Sequence, residues 1–244
     1  MTVDQEQMSW DNPDAGRYTS VISRKIPGYY GMYEMMECFL ASQVEKPGGQ
    51  SCKLFVAGAG GGQELLTLGL RHPDWSFFGV DPSASMLKAA RVRVEEAGLS
   101  ERVTFLCGEV EDLPQEVLYH GATCMLVLHF VRGREQKVKL LRGIAERLVP
   151  GAPLVLSSIN GIPSSRQFAI QMQAWQRHMM QQGIPREEWD RFEASFGPNI
   201  LPKGSDPVSS DEVPMLLEEA GFADAVRFFG AFLIEGYAAF RKKA

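Results

Sequence analysis

The chain has only four cysteines, Cys38, Cys52, Cys107 and Cys124, and none stands at the C-x-x-C spacing of a zinc site. So wide a separation in 244 residues also argues against the disulfide framework of a small secreted protein. They are expected to be reduced and mostly buried, and no metal is expected. A secretory leader is missing, because the opening MTVDQEQMSWDNPD is acidic and polar. The longest apolar run, Ala122 to Val131, is broken by His129 and is too short to span a bilayer. The expectation is a cytoplasmic protein with no membrane partner. Positive charge is also scarce. With 25 Lys and Arg against 30 Asp and Glu, the net charge is -5, which gives no global electrostatic case for nucleic acid and leaves only a local basic face for an RNA-type substrate. Repeats and low-complexity blocks are absent too.

What is present is an alternation of short apolar runs with helical patterns, beginning at Cys52. Strands are predicted at 52–58, 76–81, 102–108, 122–130 and 153–159. Between them lie helices from Gln63 to Leu70, Ser83 to Ala97 and Glu135 to Leu148, stopped by His72-Pro73, Gly98 and Pro150-Gly151. Such an alternation predicts a parallel sheet with right-handed crossovers and helices on both faces. After Ile159 two helices, broken at Gly183-Ile184-Pro185, form an insert. A loop then leads to a cap at Ser210 or Asp211 and a helix from Glu212 to Ala220. The last two apolar runs, FADAVRFFG and AFLIEGYAAF, are too close together for a parallel crossover and must form a hairpin.

The predicted fold is therefore α/β, a Rossmann-like doubly wound, mostly parallel seven-stranded sheet with one antiparallel strand. A single domain divides into an N-terminal helical cap (1–50), a core (51–160), a helical insert after strand five (161–208) and a terminal helix with the hairpin (209–244). The N-terminal segment reads as helical around a Pro27-Gly28 break. Either it packs on the sheet edge, or its aromatics, Trp10, Tyr18, Tyr29, Tyr30 and Tyr33, cover a ligand crevice.

The stretch VAGAGGGQELL (56–66) packs its glycines at the end of the first strand, where a backbone comes very close to a ligand. No lysine or hydroxyl follows Gly62, so it is not a phosphate loop. The dinucleotide fingerprint G-x-G-x-x-G fails at Gln63, which leaves G-x-G-x-G on Gly58, Gly60 and Gly62. Asp81, ending the second strand about twenty residues on, lies where an acid accepts hydrogen bonds from both ribose hydroxyls. After the third strand, Glu109 and Val110 stand where they can meet the edge and ring of an adenine. Three successive loops thus offer contacts for an adenosine without a phosphate clamp.

In this combination the chain resembles the class I S-adenosylmethionine-dependent methyltransferases. VAGAGGG is similar to their first motif, GVDPSASML to the second, GEVEDLP to the third, and MLVLHFV with LLRGIAERLVPGAPLVLSS to their fourth- and fifth-strand blocks. The likeness runs from about residue 20 to the C-terminus. It implies S-adenosylmethionine as cofactor and S-adenosylhomocysteine as product. It also implies Gly58, Ala59, Gly60 and Gly62 around the methionine portion, Asp81 and Pro82 at the ribose, Met86 against the adenine, and Met125 and Leu126 at the methyl-bearing end. One departure is Val56, where the family often carries an acid that contacts the methionine amine indirectly.

ISRKIPGYYGMYEMM, taken with MLVLHFV, is similar to the carboxy-S-adenosylmethionine synthase group and its methyltransferase relatives. That narrower resemblance carries cofactor contacts onto Arg24 and Tyr29. The synthase holds its extra carboxylate with an arginine of the insert. Here DRFEASFGPNILPKGSD offers Glu193 near that place and only Arg191 beside it, which favours a plain methyltransferase. The alternatives are a synthase-like enzyme of tRNA wobble-uridine modification and a catalytically silent cofactor-binding scaffold; a dinucleotide oxidoreductase ranks behind them.

Methyl transfer from a sulfonium needs the donor and acceptor held collinear in a dry pocket, and needs a base only when the acceptor must lose a proton. His129 is the candidate base and acceptor contact, although it also suits a backbone-bonding position after strand four. His178 reads as packing or surface. Tyr30, Met172 and Trp175 are candidate acceptor contacts, yet Met172, Trp175, Met179 and Met180 also recur at the spacing of a core-facing helix. Arg166 and Arg177 suit solvent or an anionic acceptor, and Arg241-Lys242-Lys243 reads as a solvated tail. The expected partner is a small-molecule acceptor, and edge strands with an N-terminal helix are compatible with a homodimer.

Overall fold

A computed structural model describes residues 21–44, 51–196 and 204–243. Trp10 and Tyr18, and the 197–203 part of the insert, lie outside the described residues.

One seven-stranded sheet organises the chain. Its strands are β1 (Lys53–Ala57), β2 (Ser76–Asp81), β3 (Val103–Cys107), β4 (Gly121–Met125), β5 (Pro153–Ile159), β6 (Phe222–Ala231) and β7 (Ile234–Arg241), in the order β3-β2-β1-β4-β5-β7-β6. β1 to β5 pair in parallel, and β7 runs antiparallel to both β5 and β6. The strand order reverses between β1 and β4, so the loops leaving these two strands diverge and open a crevice at their carboxyl ends.

Central strands of such a sheet are buried on both sides, which is why they read as continuous apolar runs. Alternation then divides the side chains between two cores. Leu54, Val56 and Val155 join the core beneath α1 (Tyr29–Val44), α2 (Gln63–Arg71) and α3 (Ala84–Glu96), whereas Phe55, Ala57, Leu154 and Leu156 join the one beneath α4 (Arg134–Glu146) and α7 (Glu212–Glu219). The insert supplies α5 (Arg166–Gln181) and α6 (Arg186–Ala194), whose Met172, Trp175, Met179 and Trp189 extend the first core. Met180 of the same helix is exposed.

Strand four is shorter than expected. It ends at Met125 because Leu126 turns to a left-handed φ of 59° and a single helical turn follows at Leu128–Phe130. The predicted strand to residue 130 extended through apolar residues that belong to this turn. Asp211 precedes α7 without a side-chain capping bond. The hairpin turns at Phe232-Leu233, with Phe232 at φ 53°. Cys52 and Cys124 are buried as expected, but Cys38 and Cys107 are exposed, because Cys38 sits on an outer position of α1 and Cys107 ends the edge strand β3. Among the described residues no helix is long and apolar enough to cross a membrane.

The N-terminal segment is helical on both sides of the Pro27-Gly28 break. Met32, Met36 and Leu40 of α1 are fully buried, so this helix is part of the core. The Trp175 indole N–H donates to the Lys25 carbonyl at 2.7 Å, tying the insert to the N-terminal segment. Trp175→Ala is expected to cost about 3–5 kcal/mol of stability, read by urea unfolding.

Candidate active site

The crevice at the strand-order reversal is a cavity of about 930 Å³. Its floor is the loop after β1. Gly58 and Ala59 both donate their backbone N–H to the Val80 carbonyl, at 2.9 and 3.0 Å. Gly60 donates its own to Asp81 Oδ2 at 2.8 Å, and Asp81 Oδ1 accepts the Ser83 N–H at 2.9 Å. One carboxylate thus braces the glycine loop against the start of α3, whose N-terminus is capped by the Ser83 hydroxyl. Gly58 sits at φ 72°, and a Cβ there would collide with the Val127 side chain. Its lack of a side chain lets the loops after β1 and β4 approach each other.

Asp81, Pro82 and Met86 line one wall, and Glu109 and Val110 continue it from the loop after β3. Glu109 donates its backbone N–H to Asp112 Oδ2 at 2.9 Å. Burial, then the neighbouring Glu111, Asp112 and Asp81, raise its carboxyl above the usual range. Met125 and Leu126 line the opposite wall, where the Leu126 N–H is held by the Ser157 carbonyl (2.8 Å) and hydroxyl (3.1 Å). Holding a leucine in the left-handed region costs about 1–2 kcal/mol, and it turns that backbone beside the cavity. Ile22, Tyr29 and Tyr33 close the space from the N-terminal helices.

The arrangement suits a nucleoside without a phosphate: close backbone approach at the floor, a paired carboxylate at the end of β2, an apolar wall at Met86 and, among the described residues, no glycine-lysine phosphate loop. A methyltransferase domain family matches residues 56–151, from the glycine loop to the turn before β5. The carboxy-S-adenosyl-L-methionine synthase of Wolinella succinogenes is 26% identical over 233 residues, covering 92% of this chain and 90% of the relative. Among solved structures, a Nostoc punctiforme protein assigned to the O-methyltransferases superposes with a TM-score of 0.67 at 15% identity, over 97% of this chain and 63% of that one. An O-methyltransferase family 2 protein from Planctomyces limnophilus, solved with apigenin, gives 0.63 at 16% identity, over 97% and 63%. The chain spans less than two thirds of the length of either structure. Residues 56–151 match a methyltransferase domain, and the chain has the fold of the class I S-adenosylmethionine-dependent methyltransferases.

Several expected site residues of this methyltransferase lie away from its cavity. Arg24 is exposed, and its guanidinium reaches the Gln182 carbonyl at 3.5 Å. Tyr30 is 60% exposed and packs edge-on against Tyr29. Met172 and Trp175 are buried in the core, Trp175 against the Lys25 carbonyl and the Phe192 ring of α6, and no described residue of α5 or α6 lines the cavity. Gly62, at φ 78°, stands before α2 with Ala90 against it, so its bareness serves the approach of α3. His129 is 3% exposed and outside the lining; its Nδ1 accepts the Ile159 N–H at 3.3 Å, and its carbonyl accepts the Asp206 N–H at 2.7 Å. Burial, helped by Lys137, lowers its pKa to about 3. Glu193 accepts the Trp189 indole N–H at 3.2 Å, and Arg166, Arg177 and Arg191 are exposed. His178 lies part-buried on α5.

Other residues at the cavity were not singled out from sequence. Arg132 follows the turn after β4, and Lys139 of α4 pairs with Glu111 at 3.0 Å. Glu64, in the first turn of α2, is buried and faces the cavity. Gln63-Glu64 carries no motif signal; only its place directly behind the loop could have pointed to it.

Gly58→Ala is expected to destabilise the methyltransferase by about 1–3 kcal/mol. Gly98→Ala, with a similar φ of 69° and open space around it, pays only the backbone strain and should cost less; chemical denaturation of the two variants compares them. His129 is kept neutral when folded, so the stability it contributes is present above pH 6.5 and lost as pH falls towards about 3. His129→Asn should flatten the stability–pH curve in that window.

Proposed function

We propose that this methyltransferase transfers the methyl group of S-adenosylmethionine to a small-molecule acceptor. The observation that carries the reading is the cavity of about 930 Å³, near the top of the roughly 300–1,000 Å³ range of small-ligand pockets. It has room for the cofactor and a small acceptor side by side. S-adenosylmethionine supplies an electrophilic methyl carbon, already activated by its sulfonium, and the protein's share is positioning and exclusion of water.

In this reading Asp81 accepts hydrogen bonds from the ribose hydroxyls while bracing Gly60 and Ser83. Met86 and Val110 pack on the adenine, and Glu109 takes its exocyclic amine. The backbone from Gly58 to Gly60 and at Met125 and Leu126 flanks the reactive end, and Tyr29 and Tyr33 cover it. His129 has its ring nitrogen committed to Ile159 and serves here as a support for the end of β5 rather than as a base. An acceptor already ionised at neutral pH, such as a carboxylic acid, needs no protein base.

The second reading, a carboxy-S-adenosylmethionine synthase, is favoured by the 26% identity that runs over 92% of this chain. Against it stands the absence of any arginine from the described part of the insert at the cavity wall; the basic groups that line the cavity are Arg93, Arg132 and Lys139.

Asp81→Ala is expected to weaken S-adenosylhomocysteine binding by roughly 10- to 100-fold, the loss of charge-assisted hydrogen bonds, with the circular-dichroism spectrum retained. Titration calorimetry checks it. Unchanged affinity overturns the cofactor assignment, and tighter binding of a nicotinamide dinucleotide replaces it.

A further inference from the structure

Glu64 is the one deeply buried acid of the cavity wall that the binding scheme leaves unused. It follows the glycine loop at the start of α2 and is 3% exposed. Among the described residues its carboxylate makes no hydrogen bond or ion pair with another side chain, and accepts its own backbone N–H. The charged or titratable groups facing it are Asp81 from β2, Arg93 from α3 and the Cys124 thiol from β4. Arg93 is committed elsewhere, donating to the Gly61 carbonyl and, at 2.9 Å, to the Gln63 side-chain oxygen. Burial above all, with Asp81 adding to it, pushes the Glu64 carboxyl up to about 8, against its own N–H and Arg93.

An acid left in that state beside a cavity is costly unless a ligand completes it. With Arg93 committed to Gly61 and Gln63, the cation that completes it comes from the occupant. The proposed cofactor carries two positive groups, a sulfonium without hydrogen and an α-ammonium with three donors. Only the ammonium forms charge-assisted hydrogen bonds with a carboxylate.

We propose that Glu64 is the carboxylate that holds the α-ammonium group of the bound S-adenosylmethionine. This rests on the cofactor assignment above. Glu64 is mostly protonated at pH 7 before binding, and it gives its proton to the buffer as the ammonium arrives.

Calorimetry with S-adenosylhomocysteine at pH 7, in buffers of different ionisation enthalpy, should show release of about one proton by the wild type. Glu64→Gln should release none and bind at least tenfold more weakly. 5′-Methylthioadenosine, which keeps the nucleoside and sulfur but has no amino-acid portion, should bind both proteins equally. Equal S-adenosylhomocysteine affinity in the two proteins overturns the proposal, whether or not turnover falls. So does an equal loss for 5′-methylthioadenosine, which marks a role in loop structure. A wild type that binds neither nucleoside removes the cofactor assignment, and the proposal with it.

Discussion

The Asp81 carboxylate is the brace on which the site depends. Its two oxygens hold the Gly60 and Ser83 amides, so the end of β2 fixes both the glycine loop and the start of α3. Gly58 and Ala59 add bonds to the Val80 carbonyl, and a loop rich in left-handed glycines becomes a rigid floor. Such preorganisation lowers what a ligand must spend in ordering the protein.

The rest of the architecture serves to keep that floor open. The strand order reverses between β1 and β4, and Gly58 lets the two loops approach without a collision with Val127. On the far side, Lys137 is fully buried with its ammonium on the Val131 carbonyl and on Asp206 at 2.8 Å. Asp206 also accepts the Gly133 N–H at 2.8 Å, and its own N–H bonds the His129 carbonyl. This ion pair anchors the turn after β4, and with it one wall of the cavity.

Much of this was legible in the sequence because the central strands of the sheet are buried on both faces. Continuous apolar runs marked β1, β2, β3 and β5 to within a residue or so, and the separation of the last two runs required the hairpin. Gly58, Gly60 and Asp81 stood at a spacing set by backbone geometry, and they line the cavity together with Met86, Glu109, Val110, Met125 and Leu126. What failed was whatever depended on side-chain direction. Leucine and valine after Met125 read as strand, but one left-handed residue ended it. His129 and Trp175 carry suggestive chemistry, and periodicity could not say that the first turns inward to Ile159 of β5 and the second towards Lys25 and Phe192. Glu64 lay hidden for the opposite reason: a glutamate in a first helical turn is ordinarily a solvated favourable charge, and only the fold reveals that it is buried.

The central claim is that this cavity takes S-adenosylmethionine. Native mass spectrometry of the intact protein with an equal mixture of S-adenosylmethionine and oxidised nicotinamide dinucleotide tests it most directly. A single adduct of the mass of S-adenosylmethionine, displaced by S-adenosylhomocysteine, is the predicted result; an adduct of the dinucleotide, or none of either, would contradict it.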